Sequence, residues 1–187
     1  MRISKADLQR RWAWSSALAA ALYLILLALD ARLKAQSGLG VRDLSCLSAG
    51  FANAHSLSTA FVHWLWPATA ISAGFGLGLG YLFLLLYGAA FYLSGIIARE
   101  AYAPRPGLRR RVLDMLALVP VVGAVCDAVA RGLDFWMLTK GASDSLAALA
   151  AEAGQAASIA FIIGLALFIA ACVSLLTKRK SETGTRK

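Results

Sequence analysis

The sequence predicts an all-α, polytopic membrane protein in which four transmembrane helices form a bundle. The chain has 187 residues, of which 59% are hydrophobic and 16% are charged, and its mean hydropathy is +0.67. A soluble domain of this size carries more charge and fewer apolar residues. The sequence also lacks the alternation of polar and apolar residues that is typical of a membrane β-barrel. We therefore expect residues 1–187 to form a single integral membrane domain.

Four apolar runs are long enough to cross a bilayer, because about 20 helical residues span about 30 Å of hydrocarbon. The predicted transmembrane helices cover residues 12–30, 67–98, 112–138 and 156–176. The first run follows Arg10 and Arg11, as the apolar region of a signal peptide would. It is long, however, and no small-x-small cleavage site precedes a soluble body, so we expect this helix to be retained.

Basic residues collect on one side of the predicted bundle. Four precede the first helix, five lie between the second and third, and five follow the fourth. The positive-inside rule then places both termini in the cytoplasm. The expected location is a bacterial cytoplasmic (inner) membrane. Topology and attraction to anionic lipid account for the net charge of +9, so no nucleic-acid partner is predicted. Residues 178–187 are expected to form a disordered basic tail.

The segments between the predicted helices differ in character. Residues 31–43 are polar and predict a loop, and residues 139–155 predict a second outer connection that is partly helical. Residues 44–65 carry one apolar stripe at helical spacing, which predicts an amphipathic helix on the extracytoplasmic face. The interfacial residues expected on this helix and at its end are His55, His63, Trp64 and Trp66.

The chain shows no complete set of catalytic or metal-binding residues. His55 and His63 are the only histidines, and no cluster of Cys, Asp or Glu completes a metal site around them. The three cysteines form no Cys-x-x-Cys motif, which is the signature of disulfide exchange. We therefore predict no catalytic residue, no metal and no cofactor.

A row of glycines stands out in the second predicted helix. Gly74, Gly76, Gly78 and Gly80 make two overlapping Gly-x-x-x-Gly pairs. Such pairs let helices approach closely, so we expect these glycines to pack within the bundle or in a homo-oligomer. The alternative is a ligand that uses the space left by the missing side chains.

Charged residues interrupt the third predicted helix at membrane depth, where they are expensive and are usually paired, turned inward or functional. The helix carries Pro120, Asp127, Arg131 and Asp134 on one face. Asp127 and Arg131 are four residues apart and can form an ion pair. Three interpretations of this intramembrane polar site stay open: a structural ion pair, a site for a proton, ion or ligand, and a contact with a partner protein.

The third helix resembles a group of uncharacterised small four-helix bacterial membrane proteins. They show a Pro-x-x-x-Ala-x-x-Asp-x-x-Glu-Asn run, and this chain has Pro120, Ala124 and Asp127 after an Arg-rich loop. Ala130 and Arg131 stand at the Glu-Asn positions, so half of the motif is kept. The resemblance implies the four-helix architecture and no particular activity.

A weaker, partial resemblance is to signal peptidase II, the aspartic protease that processes bacterial lipoproteins. The matching residues are Asp30-x-x-x-Lys34, Gly123-Ala124, Arg131 and Asp134-Phe135. Asp127 takes the place of an Asn of that family, and Ala130 takes the place of a catalytic Asp. The family's Phe-Asn-x-Ala-Asp is also missing, so the catalytic Asp pair is not kept.

Together these features predict a non-catalytic small membrane protein. It would be an accessory or assembly subunit of a larger membrane complex, or a protein that binds a lipid or another hydrophobic molecule. The expected partners are membrane lipids and either other membrane subunits or a second copy of the chain. The alternative is an intramembrane hydrolase or transferase, or a small ion or solute carrier, that uses Asp127 and Arg131.

Overall fold

In a computed structural model of the chain, which describes residues 4–38, 40, 67–103, 106–141 and 143–184, all regular structure is helical. The helices are α1 (Lys5–Ser37), α2 (Pro67–Tyr102), α3 (Leu108–Lys140) and α4 (Asp144–Gly184). Each contains a segment long and apolar enough to cross a membrane, with 29 to 34 residues per segment. Among the described residues, these four membrane-length helices and their order agree with the four transmembrane helices predicted from the sequence.

The first helix is longer than predicted. At its start the Ser4 hydroxyl accepts a hydrogen bond from the Asp7 amide, which is a normal N-cap. Residues 31–37 continue the helix, so the prediction of a loop over residues 31–43 is wrong for this part. These residues are mostly strong helix formers, and their polarity does not end a helix. The helix ends at Gly38, which adopts the left-handed conformation with φ of 78°.

The connection between α3 and α4 is shorter than the predicted outer connection over residues 139–155. α3 runs to Lys140 and α4 begins at Asp144, so only three residues separate the two helices. The Ala-rich segment after Asp144 favours a helix whether or not it lies in hydrocarbon. α4 then runs to Gly184, so the helix includes most of the basic tail for which the sequence predicted disorder.

The predicted amphipathic helix over residues 44–65 lies outside the described residues. The same holds for the interfacial residues His55, His63, Trp64 and Trp66.

Neighbouring helices along the chain run antiparallel. Trp12 near the start of α1 donates a hydrogen bond from Nε1 to Ser94 Oγ near the end of α2, with an N···O distance of 2.8 Å. The end of the bundle with Lys5, Tyr102 and Leu108 is called the basic end, and the end with Ser37, Pro67 and Gly141 is called the far end. α2 packs against each of the other three helices, and α3 and α4 form a closely packed hairpin.

Small residues bring the helices close together at three places. Gly88 and Gly95, seven residues apart on α2, lie against Ala124 and Ala117 of α3. A Cβ placed on Gly95 would be 2.5 Å from the Ala117 Cβ and 2.8 Å from its Cα. On α3, Gly123 lies against Ala160 of α4 in the same way. These contacts fix the register of α2, α3 and α4.

The outward faces of the helices are apolar. Leu24, Leu85 and Ile169 are exposed on α1, α2 and α4 respectively. Exposed aromatic side chains stand near both ends, with Trp14 and Tyr102 toward the basic end and Phe135 and Trp136 toward the far end. Apolar faces between two belts of aromatic residues are typical of helices surrounded by lipid.

Candidate ligand-binding cavity

The four helices enclose a cavity of about 430 Å³ in the half of the bundle nearer the far end. Each helix contributes residues three or four positions apart, which places them on one helix face. The lining residues are Tyr23, Leu26, Leu27, Leu29, Asp30 and Leu33 of α1, Ser72, Gly76, Phe83 and Tyr87 of α2, Asp127, Ala130, Arg131 and Asp134 of α3, and Gly154, Ala157, Ser158, Phe161 and Ile162 of α4.

Aromatic rings close the cavity toward the basic end. Tyr87 packs against Phe83 and Phe161, with ring centroids 5.2 and 5.6 Å apart. Phe91 lies behind them, 5.3 Å from Phe161, and continues the ring contacts toward Phe168. These rings form the floor of the cavity, which is therefore aromatic apart from the Tyr87 hydroxyl.

The cavity opens sideways between α1 and α4. Tyr23 of α1 and Ile162 of α4 line it and are nevertheless 40% and 66% exposed. The lining residues Ala130 and Asp134 of α3 are buried instead. α1 packs chiefly against α2, and its ring contact with Phe168 of α4, made by Trp12, lies near the basic end. The opening of the cavity therefore lies on the side of the bundle formed by α1 and α4.

An ion pair within α3 lies in the cavity wall. Arg131 Nε donates to Asp127 Oδ1 at 3.2 Å, and a terminal guanidinium nitrogen donates to Asp127 Oδ2 at 3.4 Å. The Asp127 and Arg131 side chains are 24% and 19% exposed. The helix spacing of four residues brings the two groups together, as the sequence predicted. A Cβ on Gly80 of α2 would be 2.6 Å from Arg131 Nη1, so a glycine at position 80 makes room for the guanidinium.

Asp134 is the most buried charged residue of the cavity, with 6% of its surface exposed. Asp134 lies about one helical turn after Arg131, whose guanidinium group donates its hydrogen bonds to Asp127. The Oδ1 atom of Asp134 has no hydrogen-bond partner. Buried acceptors are nearly always paired, so this unpaired oxygen is unusual; it is itself fully buried and does not face the open space of the cavity.

Asp30 of α1 is the fourth charged residue in the wall, and it was not among the predicted site residues. The signal was present, because Tyr23, Leu26, Asp30 and Leu33 repeat at steps of three or four along α1. The repeat was not recognised because the sequence predicted that this helix ends at residue 30, before Leu33. Among the residues that the structure describes, no three His, Cys, Asp or Glu side chains come close enough to hold a metal ion.

The other predicted site residues divide between the cavity and its surroundings. Pro120 is fully buried but does not line the cavity, since it lies about 10 Å along the helix from Asp127. On α2, Gly76 lines the cavity and Gly80 faces Arg131.

Two members of the predicted glycine row make no packing contact within the described part of the bundle. A Cβ on Gly74 or on Gly78 would meet no atom within 4 Å. Gly80 faces the Arg131 side chain instead of a neighbouring helix backbone. The close contacts of α2 are made by Gly88 and Gly95. These two were not predicted, because the rotation of a helix about its axis decides which small residues meet a neighbour. Packing of Gly74 and Gly78 in an oligomer stays a prediction.

Comparison with known proteins finds no family model, no curated protein and no solved structure that matches this chain.

Proposed function

We propose that this chain is a non-catalytic, multi-pass membrane protein that takes a hydrophobic molecule from the bilayer and binds it in the cavity between its helices. The observation that carries the proposal is the cavity itself, with its ring-lined floor and its mouth between α1 and α4. Ligand sites are concave and mostly apolar, with a few polar groups that fix orientation. Its volume of about 430 Å³ lies within the usual range of about 300–1,000 Å³.

The proposal includes a placement in a bacterial cytoplasmic membrane with both termini in the cytoplasm. The described basic residues at the basic end, including Arg10, Arg11, Arg109, Arg110 and Arg111, support it through the positive-inside rule. In this orientation the cavity lies in the outer half of the bilayer. Its mouth then faces the acyl chains of the outer leaflet, which is the phase where a hydrophobic ligand is concentrated.

Between the two non-catalytic roles expected from the sequence, the cavity favours binding of a lipid or another hydrophobic molecule over an accessory subunit. A subunit that only packs against partners has no need of a lined cavity. The arrangement of α3 also favours binding over hydrolysis by its two carboxylates. Asp127 and Asp134 are seven residues apart on one helix, about 10 Å by the helical rise, whereas an aspartic protease pair shares one water.

Two substitutions on the same helix test the proposal. Gly76 lines the cavity, whereas Gly78 is exposed and has open space around it. Gly76→Leu puts four carbons into the cavity, and Gly78→Leu puts the same four carbons outside the bundle. Each protein is purified in a steroid-based detergent, which has no alkyl chain to compete, and its bound hydrophobic molecules are extracted and identified by mass spectrometry.

We expect the unchanged protein and Gly78→Leu to retain the same bound molecule at a similar ratio, and Gly76→Leu to lose most of it. Equal retention by Gly76→Leu and Gly78→Leu would show that the molecule sits on the outer surface. The absence of any retained molecule from the unchanged protein, together with no stabilisation by added alkyl compounds, would also contradict the proposal.

A further inference from the structure

We infer that the bound molecule is uncharged and carries a carbonyl group inside its apolar body, and that the Tyr87 hydroxyl donates a hydrogen bond to this carbonyl. The inference rests on the proposed function and names the chemical class of the molecule bound. It comes from one polar atom in the floor of the cavity, whereas the proposed function comes from the presence of the cavity and its opening. The two can therefore fail separately.

The first observation is an open hydroxyl in the floor of the cavity. Only 4% of the Tyr87 surface is exposed, and the residue lines the cavity. Its hydroxyl has no hydrogen-bond partner among the described residues, whereas the Tyr81 hydroxyl donates to the Ala128 carbonyl. Unlike Asp134 Oδ1, the Tyr87 oxygen is not fully enclosed, so its open surface faces the cavity. A hydroxyl taken out of water is destabilising unless another partner replaces the water.

The second observation is that the rings around this hydroxyl carry no polar atom. Phe83, Phe91 and Phe161 surround the Tyr87 ring, with centroids between 5.2 and 5.7 Å away. A charged group placed among these rings would lose its hydration without compensation, which is costly. An uncharged polar group loses much less. The floor therefore favours a molecule whose polar group at this depth is uncharged.

The kind of polar group follows from the number of protons. The Tyr87 hydroxyl has one proton to donate. A carbonyl accepts this proton and brings none of its own, so every polar atom is paired. A hydroxyl on the bound molecule would bring a second proton, for which the rings provide no acceptor. The Asp127 carboxylate in the wall already accepts from Arg131 through both of its oxygens.

The position of the opening indicates where the carbonyl lies in the molecule. Tyr23, which is exposed at the opening, packs against Phe83 with ring centroids 5.7 Å apart, and Phe83 packs against Tyr87. On the other side of the opening, Ile162 follows Phe161, which also packs against Tyr87. The opening and Tyr87 therefore lie at the same level of the bundle. A molecule that enters from the bilayer contacts rings on both sides of the hydroxyl, so apolar groups flank its carbonyl.

Three probes with the same carbon skeleton test the inference on the unchanged protein and on Tyr87→Phe, which removes the hydroxyl and keeps the ring. Dihexyl ketone, the corresponding secondary alcohol and tridecane are each titrated into the protein in a steroid-based detergent. Affinity is measured from the rise in Tm and by native mass spectrometry. We expect Tyr87→Phe to weaken dihexyl ketone by about threefold to tenfold, to weaken the alcohol less, and not to weaken tridecane.

A control variant and a spectroscopic measurement locate the hydrogen bond. Tyr92→Phe removes the same hydroxyl from an exposed position of α2 that does not line the cavity, so it should leave all three affinities unchanged. Infrared spectroscopy gives a readout that a loss of packing would not move. The C=O stretch of dihexyl ketone bound to the unchanged protein should lie at a lower frequency than in dry alkane. In Tyr87→Phe it should return toward the alkane value.

The outcomes separate the two claims. If Tyr87→Phe binds dihexyl ketone like the unchanged protein, or if the C=O stretch in the unchanged protein stays at its alkane frequency, the carbonyl inference is overturned and hydrophobe binding stands. An equal loss for the ketone and the alcohol would overturn the choice of a carbonyl. If none of the three probes binds the unchanged protein, the proposed function fails as well. The infrared comparison on the unchanged protein needs no variant, so it decides the question even if Tyr87→Phe folds poorly.

Discussion

The packing of α2 against α3 predicts a large difference between two Gly→Ala substitutions on the same helix. A Cβ on Gly95 would be 2.5 Å from the Ala117 Cβ and 2.8 Å from the Ala117 Cα, whereas a Cβ on Gly78 would meet nothing within 4 Å. Backbone is one of the groups that Gly95→Ala would press on, so a side-chain rotation cannot relieve the contact.

The magnitude follows from the cost of overpacking a well-filled interior, which is about 1–3 kcal/mol. Both substitutions also gain the helix propensity of alanine over glycine, about 0.8–1.0 kcal/mol in soluble helices. Because this gain is common to the two variants, it cancels in their comparison. We therefore expect Gly95→Ala to be about 1–3 kcal/mol less stable than Gly78→Ala.

The assay is equilibrium unfolding in mixed micelles with a rising fraction of denaturing detergent, followed by tryptophan fluorescence. A double-mutant cycle with Ala117→Gly isolates the clash from other effects. Ala117→Gly removes the nearer of the two atoms, so Gly95→Ala should cost less in that background. If Gly95→Ala and Gly78→Ala are equally stable, α2 and α3 do not approach at this position and the helix register derived from it is wrong.

Two further predictions concern the ion pair and the topology. Asp127→Ala and Arg131→Ala each leave a charge without its partner and should destabilise the protein by up to about 3–5 kcal/mol. The double variant Asp127→Leu, Arg131→Leu should be more stable than either single variant. Equal losses of stability in all three variants, measured by the same unfolding assay, would show that the two residues are not coupled. The topology is tested with single cysteines introduced into a variant that lacks Cys46, Cys126 and Cys172. A cysteine at Ser145 should react with an impermeant thiol reagent in sealed cells, and a cysteine at Arg109 should react only after permeabilisation. Labelling of position 109 in sealed cells would show that the orientation is the opposite one.

The sequence was sufficient to predict the helices and insufficient to predict their ends. Apolar runs identify the four helices because a bilayer sets a minimum length. Their ends are not set by the bilayer, so α1 continues past residue 30 to Ser37 and α4 begins at Asp144. Glycines with positive φ, Gly38 and Gly141, end α1 and α3.

The candidate site was predictable only in the part that lies on one helix. The spacing of Asp127 and Arg131 along α3 is enough to predict their ion pair, because helix geometry alone brings them together. The contributions of Asp30, Tyr87 and Phe161 come from three other helices. Their meeting depends on how each helix is rotated and where it crosses its neighbours, which one sequence does not specify.

The central claim is that a hydrophobic molecule occupies the cavity from the membrane side, and photolabelling in native membranes tests it most directly. Membranes that contain the protein are loaded with a single-chain alcohol bearing a photoreactive group near the chain end, irradiated, and mapped by peptide mass spectrometry. We predict that adducts concentrate on cavity residues such as Leu26, Phe83 and Phe161, and that unlabelled dodecanol in excess removes them. Adducts confined to lipid-facing residues such as Leu24 and Leu85, unaffected by the competitor, would contradict the account.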